Sequence, residues 1–194
     1  MKALVVVGGY RKKNTWHMAE AFSEGLESIG YDVETVYLKK YNIKHCTGCE
    51  GCYKDGVCIV KDDMTDLYEK IDEAKVLVLA SPLYFYMVSG DMKTFIDRGQ
   101  PFWERTHRKN KGEDPNKKIG VFLACNGGDY GHDDFFATYK PLRTYFGSVG
   151  AEYLINYYVS ETDERPVMER PDVLEEIKKL GTKVNDGKKY MIHV

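Results

Sequence analysis

The sequence predicts an α/β fold, a doubly wound sheet of five parallel strands with helices on both faces. Apolar β-branched runs alternate with segments of helical spacing along the chain. The runs at 4–7 and 76–80 are apolar throughout, which marks strands buried on both faces. No internal repeat and no linker rich in Gly, Ser or Pro interrupts the pattern, so 1–194 reads as a single domain. With right-handed crossovers the strand order is 2-1-3-4-5.

The elements follow in order. Leu4-Val-Val-Val7 is a buried strand that runs into Gly8-Gly9. Asn14 and Thr15 suit a helix start. Met18, Phe22, Leu26 and Ile29 then recur at helical spacing, and Gly30 closes the helix. Residues 33–38 alternate as a second strand. A Cys-rich loop spans 44–62. Asp62 or Asp63 then caps a helix with the stripe Met64, Leu67, Ile71 and Ala74. Residues 76–80 form the third, central strand, stopped by Ser81-Pro82. A helix covers about 89–98. A polar, basic stretch at 104–118 reads as an exposed loop. Residues 119–124 form the fourth strand, a helix covers about 133–149, and residues 153–158 form the fifth strand. A last helix starts near Pro171.

Composition bounds the function. The chain has 194 residues, 43% hydrophobic and 30% charged, with a net charge of -2. That balance argues against a nucleic-acid binder, which carries a basic excess. No apolar run approaches the ~18 residues of a membrane span. The N-terminal apolar run is too short for a signal peptide. The expected location is the cytoplasm, where clustered cysteines serve metals or catalysis rather than disulfides.

Cys46, Cys49, Cys52 and Cys58 form such a cluster. Three readings of it stand open: an iron–sulfur centre, zinc, or free thiols. Four thiolates in a compact CxxCxxC turn plus one more suit a [4Fe–4S] cluster. Structural zinc more often uses two CxxC pairs about 15–20 residues apart. The five histidines show no ligand spacing.

Ligands in a doubly wound sheet bind at the carboxyl ends of the strands. Three loops there are informative. The first, 8–15, joins glycines, Arg11 and a helix N-terminus in a form that suits a phosphate monoester, or is a plain strand–helix connection. It is neither a Walker A loop nor a GxGxxG fingerprint. The second, 81–86, gathers Tyr84, Phe85 and Tyr86, which flank a planar ring or simply pack. The third, 125–131, pairs Gly127 and Gly128 behind Cys125, which reads as a small buried hydrophobe rather than a nucleophile.

Three segments together carry a resemblance: residues 8–15, the cysteine run continued to Met64, and 81–85 with Lys93-Thr-Phe-Ile-Asp-Arg98. Over roughly 1–160 the chain resembles the NADPH-dependent FMN reductase family, of flavodoxin-like fold, and within it the iron–sulfur flavoproteins. The resemblance implies non-covalent FMN. It places Gly9, Tyr10, Arg11, Asn14 and Thr15 at the phosphate, and Pro82, Leu83, Tyr84 and Phe85 along the ribityl chain and ring. Asn126 and Gly127 close the other side of the ring. It gives Cys46, Cys49, Cys52 and Cys58 to a [4Fe–4S] cluster that exchanges electrons with FMN, often across a subunit interface. One departure stands out: members commonly read Gly-Ser-Pro-Arg where this chain has Gly8-Gly9-Tyr10-Arg11, without the hydroxyl.

The expected function is an FMN-dependent electron-transfer oxidoreductase. NAD(P)H or a ferredoxin-like protein is the donor, the acceptor is a small molecule, and the assembly is a homodimer or homotetramer. No side chain is assigned acid–base catalysis. The alternatives are a cluster-free NAD(P)H-dependent FMN or quinone reductase and a non-enzymatic FMN- or metal-binding carrier. The basic loop is a solvated face or a docking site for an acidic carrier.

Overall fold

The computed structural model describes residues 1–109, 117–129 and 136–194, with backbone alone at 107–109 and 136. β1 (Lys2–Val7), β2 (Asp32–Tyr37), β3 (Val76–Tyr84), β5 (Lys118–Cys125), β6 (Ala151–Val159) and β7 (Tyr190–His193) form one parallel sheet in the order β2-β1-β3-β5-β6-β7. A two-residue strand, β4 (Met87–Val88), turns back antiparallel onto β3. The predicted order 2-1-3-4-5 is therefore present, extended by one strand at the far edge.

Alternate residues of each central strand feed two cores. Leu4, Val6, Leu77, Leu79 and Phe122 face helices α2 (Met64–Glu73), α3 (Gly90–Asp97) and α5 (Phe136–Ser148). Val5, Val7, Val78 and Leu123 face α1 (Asn14–Ser28) and α6 (Pro171–Gly181). The stripes foreseen on α1 and α2 account for this: Met18, Phe22 and Leu26, and Met64, Leu67 and Ile71, are fully buried. Ile29 falls beyond the end of α1 and is exposed.

Several boundaries move for local reasons. Ser81-Pro82 does not stop β3, which runs on to Tyr84 with Pro82 in register with Cys125. Extended backbone suits the fixed φ of proline. The predicted exposed loop at 104–118 begins instead as a π-helical turn, Glu104–Lys109, that continues α4 (Gln100–Trp103). Arg105 pairs with Asp72 at 2.9 Å and Thr106 Oγ1 donates to Ser148 O at 2.8 Å, which ties the turn to α2 and α5. Residues 110–116 of that stretch, and the foreseen start of α5 near 133, lie outside the described residues. Asn14 does not cap α1 with its side chain but accepts from Val167 N at 2.9 Å. No helix among the described residues is long and apolar enough to cross a membrane.

Candidate functional site

The carboxyl ends of β1, β3, β5 and β6 meet around one cleft, beside the point where the strand order reverses. Gly9, Tyr10, Arg11, Asn14 and Thr15 line it from the first loop. Pro82, Leu83 and Tyr84 line it from the end of β3, and Asn126 and Gly127 from the third loop. Ten of the eleven foreseen flavin residues are thus brought together. Phe85 is not: it stands at the tip of the β3–β4 hairpin, 92% exposed, and does not line the cleft.

The floor of the cleft is tightly built. The first helical N–H groups of α1 have no acceptor within the helix, so its start faces the cleft with positive dipole. Arg11 and Lys13 line the same end, while Lys12 is drawn aside, 3.8 Å over the Trp16 ring. Lys39, in the 3-10 turn that follows β2, donates to Tyr10 O at 2.8 Å and holds the loop. Cys125 is buried and lies 3.4 Å from Thr15 Oγ1. Burial pushes its thiol up to about 11, so it remains protonated and inert.

The far wall joins two loops. Thr162 N and Oγ1 both donate to Asn126 O, and Glu161 N donates to Gly128 O. Thr162 and Asp163 also line the cleft. Sequence reasoning missed them, although they follow β6 and the carboxyl-end rule points there. A Cβ on Gly127 would lie 2.2 Å from Asp163 Oδ2, so any side chain there requires the exposed Asp163 carboxylate to move. Asn126 donates through Nδ2 to Gly128 O at 2.6 Å, yet its buried Oδ1 has no partner among the described residues. A buried acceptor left unpaired costs free energy and marks a position for a ligand donor. An anion end of cations and helix dipole, an aromatic side wall and an orphaned acceptor together fit a flavin mononucleotide.

The hairpin carries strain. Phe85 and Tyr86 have φ of 50° and 62°. Both central residues of this two-residue turn therefore sit in the left-handed region, where Asn-Gly is the ordinary choice. Large aromatics there cost about 1–2 kcal/mol each. Such strain persists where it serves a site.

A second cavity, of about 310 Å³, collects Cys46, Cys49, Cys52 and Cys58. Gly48 and Gly56 have positive φ, 65° and 75°, which lets the loop fold back on itself. Among the described residues no three His, Cys, Asp or Glu side chains are placed to hold a single metal ion. The four cysteines that line this cavity are soft sulfur donors, the donor type an iron–sulfur centre takes. Burial pushes the Cys52 thiol up.

α3 connects the two cavities. At its start Ser89 Oγ donates to Gly8 O at 2.8 Å, beside the first loop of the cleft. Just past its end Arg98 donates from Nη1 to Asp62 Oδ2 at 2.6 Å and from Nη2 to Oδ1 at 3.1 Å. Burial alone would lower the pKa of Arg98 and raise that of Asp62. The hydrogen bonds between them, together with Tyr68 and Cys58 beside Arg98 and the Lys44 and Met64 amides on Asp62, outweigh it, so Arg98 is held above its ordinary value and Asp62 below. At 1.5 Å per residue α3 separates these anchors by about 13 Å.

Comparison with known proteins supports this reading. A family model described as NADPH-dependent FMN reductase matches residues 1–160. An iron-sulfur flavoprotein of Archaeoglobus fulgidus is 40% identical over 112 residues, 57% of this chain and 51% of that protein. The chain thus spans about half the length of the curated relative it matches there. Another iron-sulfur flavoprotein of the same organism is 29% identical over 167 residues, 82% of this chain and 83% of that one. The solved NAD(P)H:quinone oxidoreductase from Methanothermobacter marburgensis superposes with a TM-score of 0.71 at 18% identity, over 95% of this chain and 96% of that one. At that identity the likeness is one of fold.

Proposed function

The chain belongs to the NADPH-dependent FMN reductase family, and on that premise we propose that it is an FMN-dependent oxidoreductase that relays electrons between FMN and a [4Fe–4S] cluster. One observation carries the relay: four cysteines surround one cavity, held by the far end of the helix whose start supports the flavin cleft. Bound FMN accepts two electrons from a nicotinamide donor and releases them singly, which a cluster requires.

The residues divide the work. Arg11, Lys13 and the start of α1 hold the phosphate. Pro82, Leu83 and Tyr84 flank the ribityl chain and ring. Asn126 Oδ1, buried and without a partner among the described residues, would accept from a polar donor of the flavin. Cys46, Cys49, Cys52 and Cys58 each hold one iron. None of these groups needs to move a proton as acid or base.

Anaerobic purification followed by flavin, iron and labile-sulfide analysis on one sample tests the proposal. One FMN with four irons and four sulfides per chain is the expected result. Flavin without iron or sulfide would sink the relay and leave a cluster-free FMN reductase. Oxidation of NAD(P)H by the same sample separates an enzyme from a passive carrier.

A further inference from the structure

Arg98 is 1% exposed, a rare state for an arginine unless its charge is paired; its two Nη atoms carry that pairing, and Nε has no partner among the described residues. Asp62 takes two of its hydrogen bonds. Nη1 also donates to Lys44 O at 2.8 Å, and Nη2 reaches Cys58 Sγ at 3.6 Å. Asp62 Oδ2 in turn accepts from Lys44 N at 2.9 Å. Lys44 stands before the first cysteine of the loop and Asp62 after the last. One guanidinium therefore fastens both ends of the cysteine loop to α3. Tyr68 OH donates to Arg98 O at 2.8 Å and anchors that end of α3 to α2.

We propose that Arg98 is the positioning residue of the cluster site: it holds the cysteine loop closed and donates to the Cys58 sulfur, which raises the reduction potential of the centre. The inference rests on the reading of the cysteine cavity as a cluster site. Its physical basis is charge. Reduction adds an electron that is shared between iron and sulfur. A cationic donor on one thiolate stabilises the more negative state, and hydrogen bonds to sulfur are among the main determinants of cluster potential. The buried setting strengthens the interaction, because water does not screen it. No bond forms or breaks in this role, and the electron comes from the flavin or from dithionite in the test.

The experiment is a redox titration of the purified holoprotein, monitored by electron paramagnetic resonance, on wild type and Arg98→Lys. The lysine keeps a cation for Asp62 but has no planar fork to serve Asp62, Lys44 and Cys58 together. The expected result is wild-type iron and sulfide content with the cluster harder to reduce. The expected size is about tenfold in the reduction equilibrium, 59 mV for one electron. An unchanged potential in iron-replete Arg98→Lys would overturn the inference. If Arg98→Lys does not fold, Arg98→Met combined with Asp62→Asn removes both buried charges without stranding either. A lowered potential in that double variant supports the role, and a wild-type potential overturns it. Wild-type protein without iron or sulfide would be a failure of the relay itself, read before any variant is made.

Discussion

Ser89 Oγ donates to Gly8 O at 2.8 Å, and a Cβ placed on Gly8 would lie 2.7 Å from that same Oγ and 2.8 Å from Met92 Cβ. The end of β1 and the start of α3 are therefore in direct contact, with no room for a side chain between them. Because α3 also ends at the cysteine loop, this contact is common to both cavities. Gly8→Ala must push α3 away, and overpacking of this kind costs about 1–3 kcal/mol. Denaturant unfolding should show that loss, and flavin and iron content should fall together. Ser89→Ala removes the cap on Met92 N and costs about 1 kcal/mol, again at both sites. Loss of one cofactor alone would show that α3 does not couple them.

Gly127→Ala tests the far wall of the flavin cleft. The new methyl meets the Asp163 carboxyl carbon at 2.5 Å as well as its oxygens, so rotation of the carboxylate alone does not clear it. The exposed Asp163 side chain must swing aside or its loop must shift, either of which disturbs the wall where Thr162 fixes the Asn126 acceptor. A loss of about 1.4 kcal/mol, or tenfold in FMN affinity, is expected by fluorescence titration. Adding Asp163→Ala makes room and should recover much of it. Recovery is the decisive arm, since a clash with any other group would leave the double variant as weak as the single one.

The β3–β4 turn offers a trade between stability and binding. Replacing Phe85 and Tyr86 by Asn and Gly suits two successive positive φ values. The apoprotein should gain about 1 kcal/mol, read as a raised melting temperature. FMN affinity should fall, because the strained turn sets the pitch of Tyr84 at the cleft. Equal affinity would mean that the aromatic turn serves something other than the flavin.

These sites differ in how far the sequence foretold them. The central strands were legible because residues 4–7 and 76–80 are apolar on both faces, and only a two-sided sheet uses such runs. The last strand, Tyr190–His193, was not: three half-buried residues and the exposed Met191 after a polar run carry no period to read. Pro82 misled as a terminator because a proline at a strand end does not break extended backbone. Ligand sites in such sheets lie where strands end, so the loops after the first, third and fourth strands followed from topology, while Gly9, Tyr84 and Asn126 within them followed from the family resemblance. Thr162 and Asp163 obey the same rule, but without a glycine or aromatic signal they drew no notice. Arg98 was visible as a residue of a motif. Its task was not, since a charge at the end of an amphipathic helix normally faces water, and only packing shows that this one is buried.

Acid sensitivity follows from the partner of that arginine. The Asp62 carboxyl is 3% exposed and would be raised by burial, but the Arg98 hydrogen bonds and the Lys44 amide hold it below the usual carboxylate value. A depressed folded pKa means that the unfolded chain takes up a proton first as pH falls. The stabilisation is fully present above about pH 4, the ordinary carboxylate value, and is lost as pH drops through the lower folded value. Asp62→Asn should remove this step, so its unfolding free energy should be flatter below pH 4 than that of the wild type. At neutral pH the same variant leaves Arg98 buried without its counter-charge and should lose about 3–5 kcal/mol. Urea unfolding across pH 3–7 measures both effects on one pair of proteins. A wild-type pH profile in Asp62→Asn would show that another carboxylate governs the acid limb.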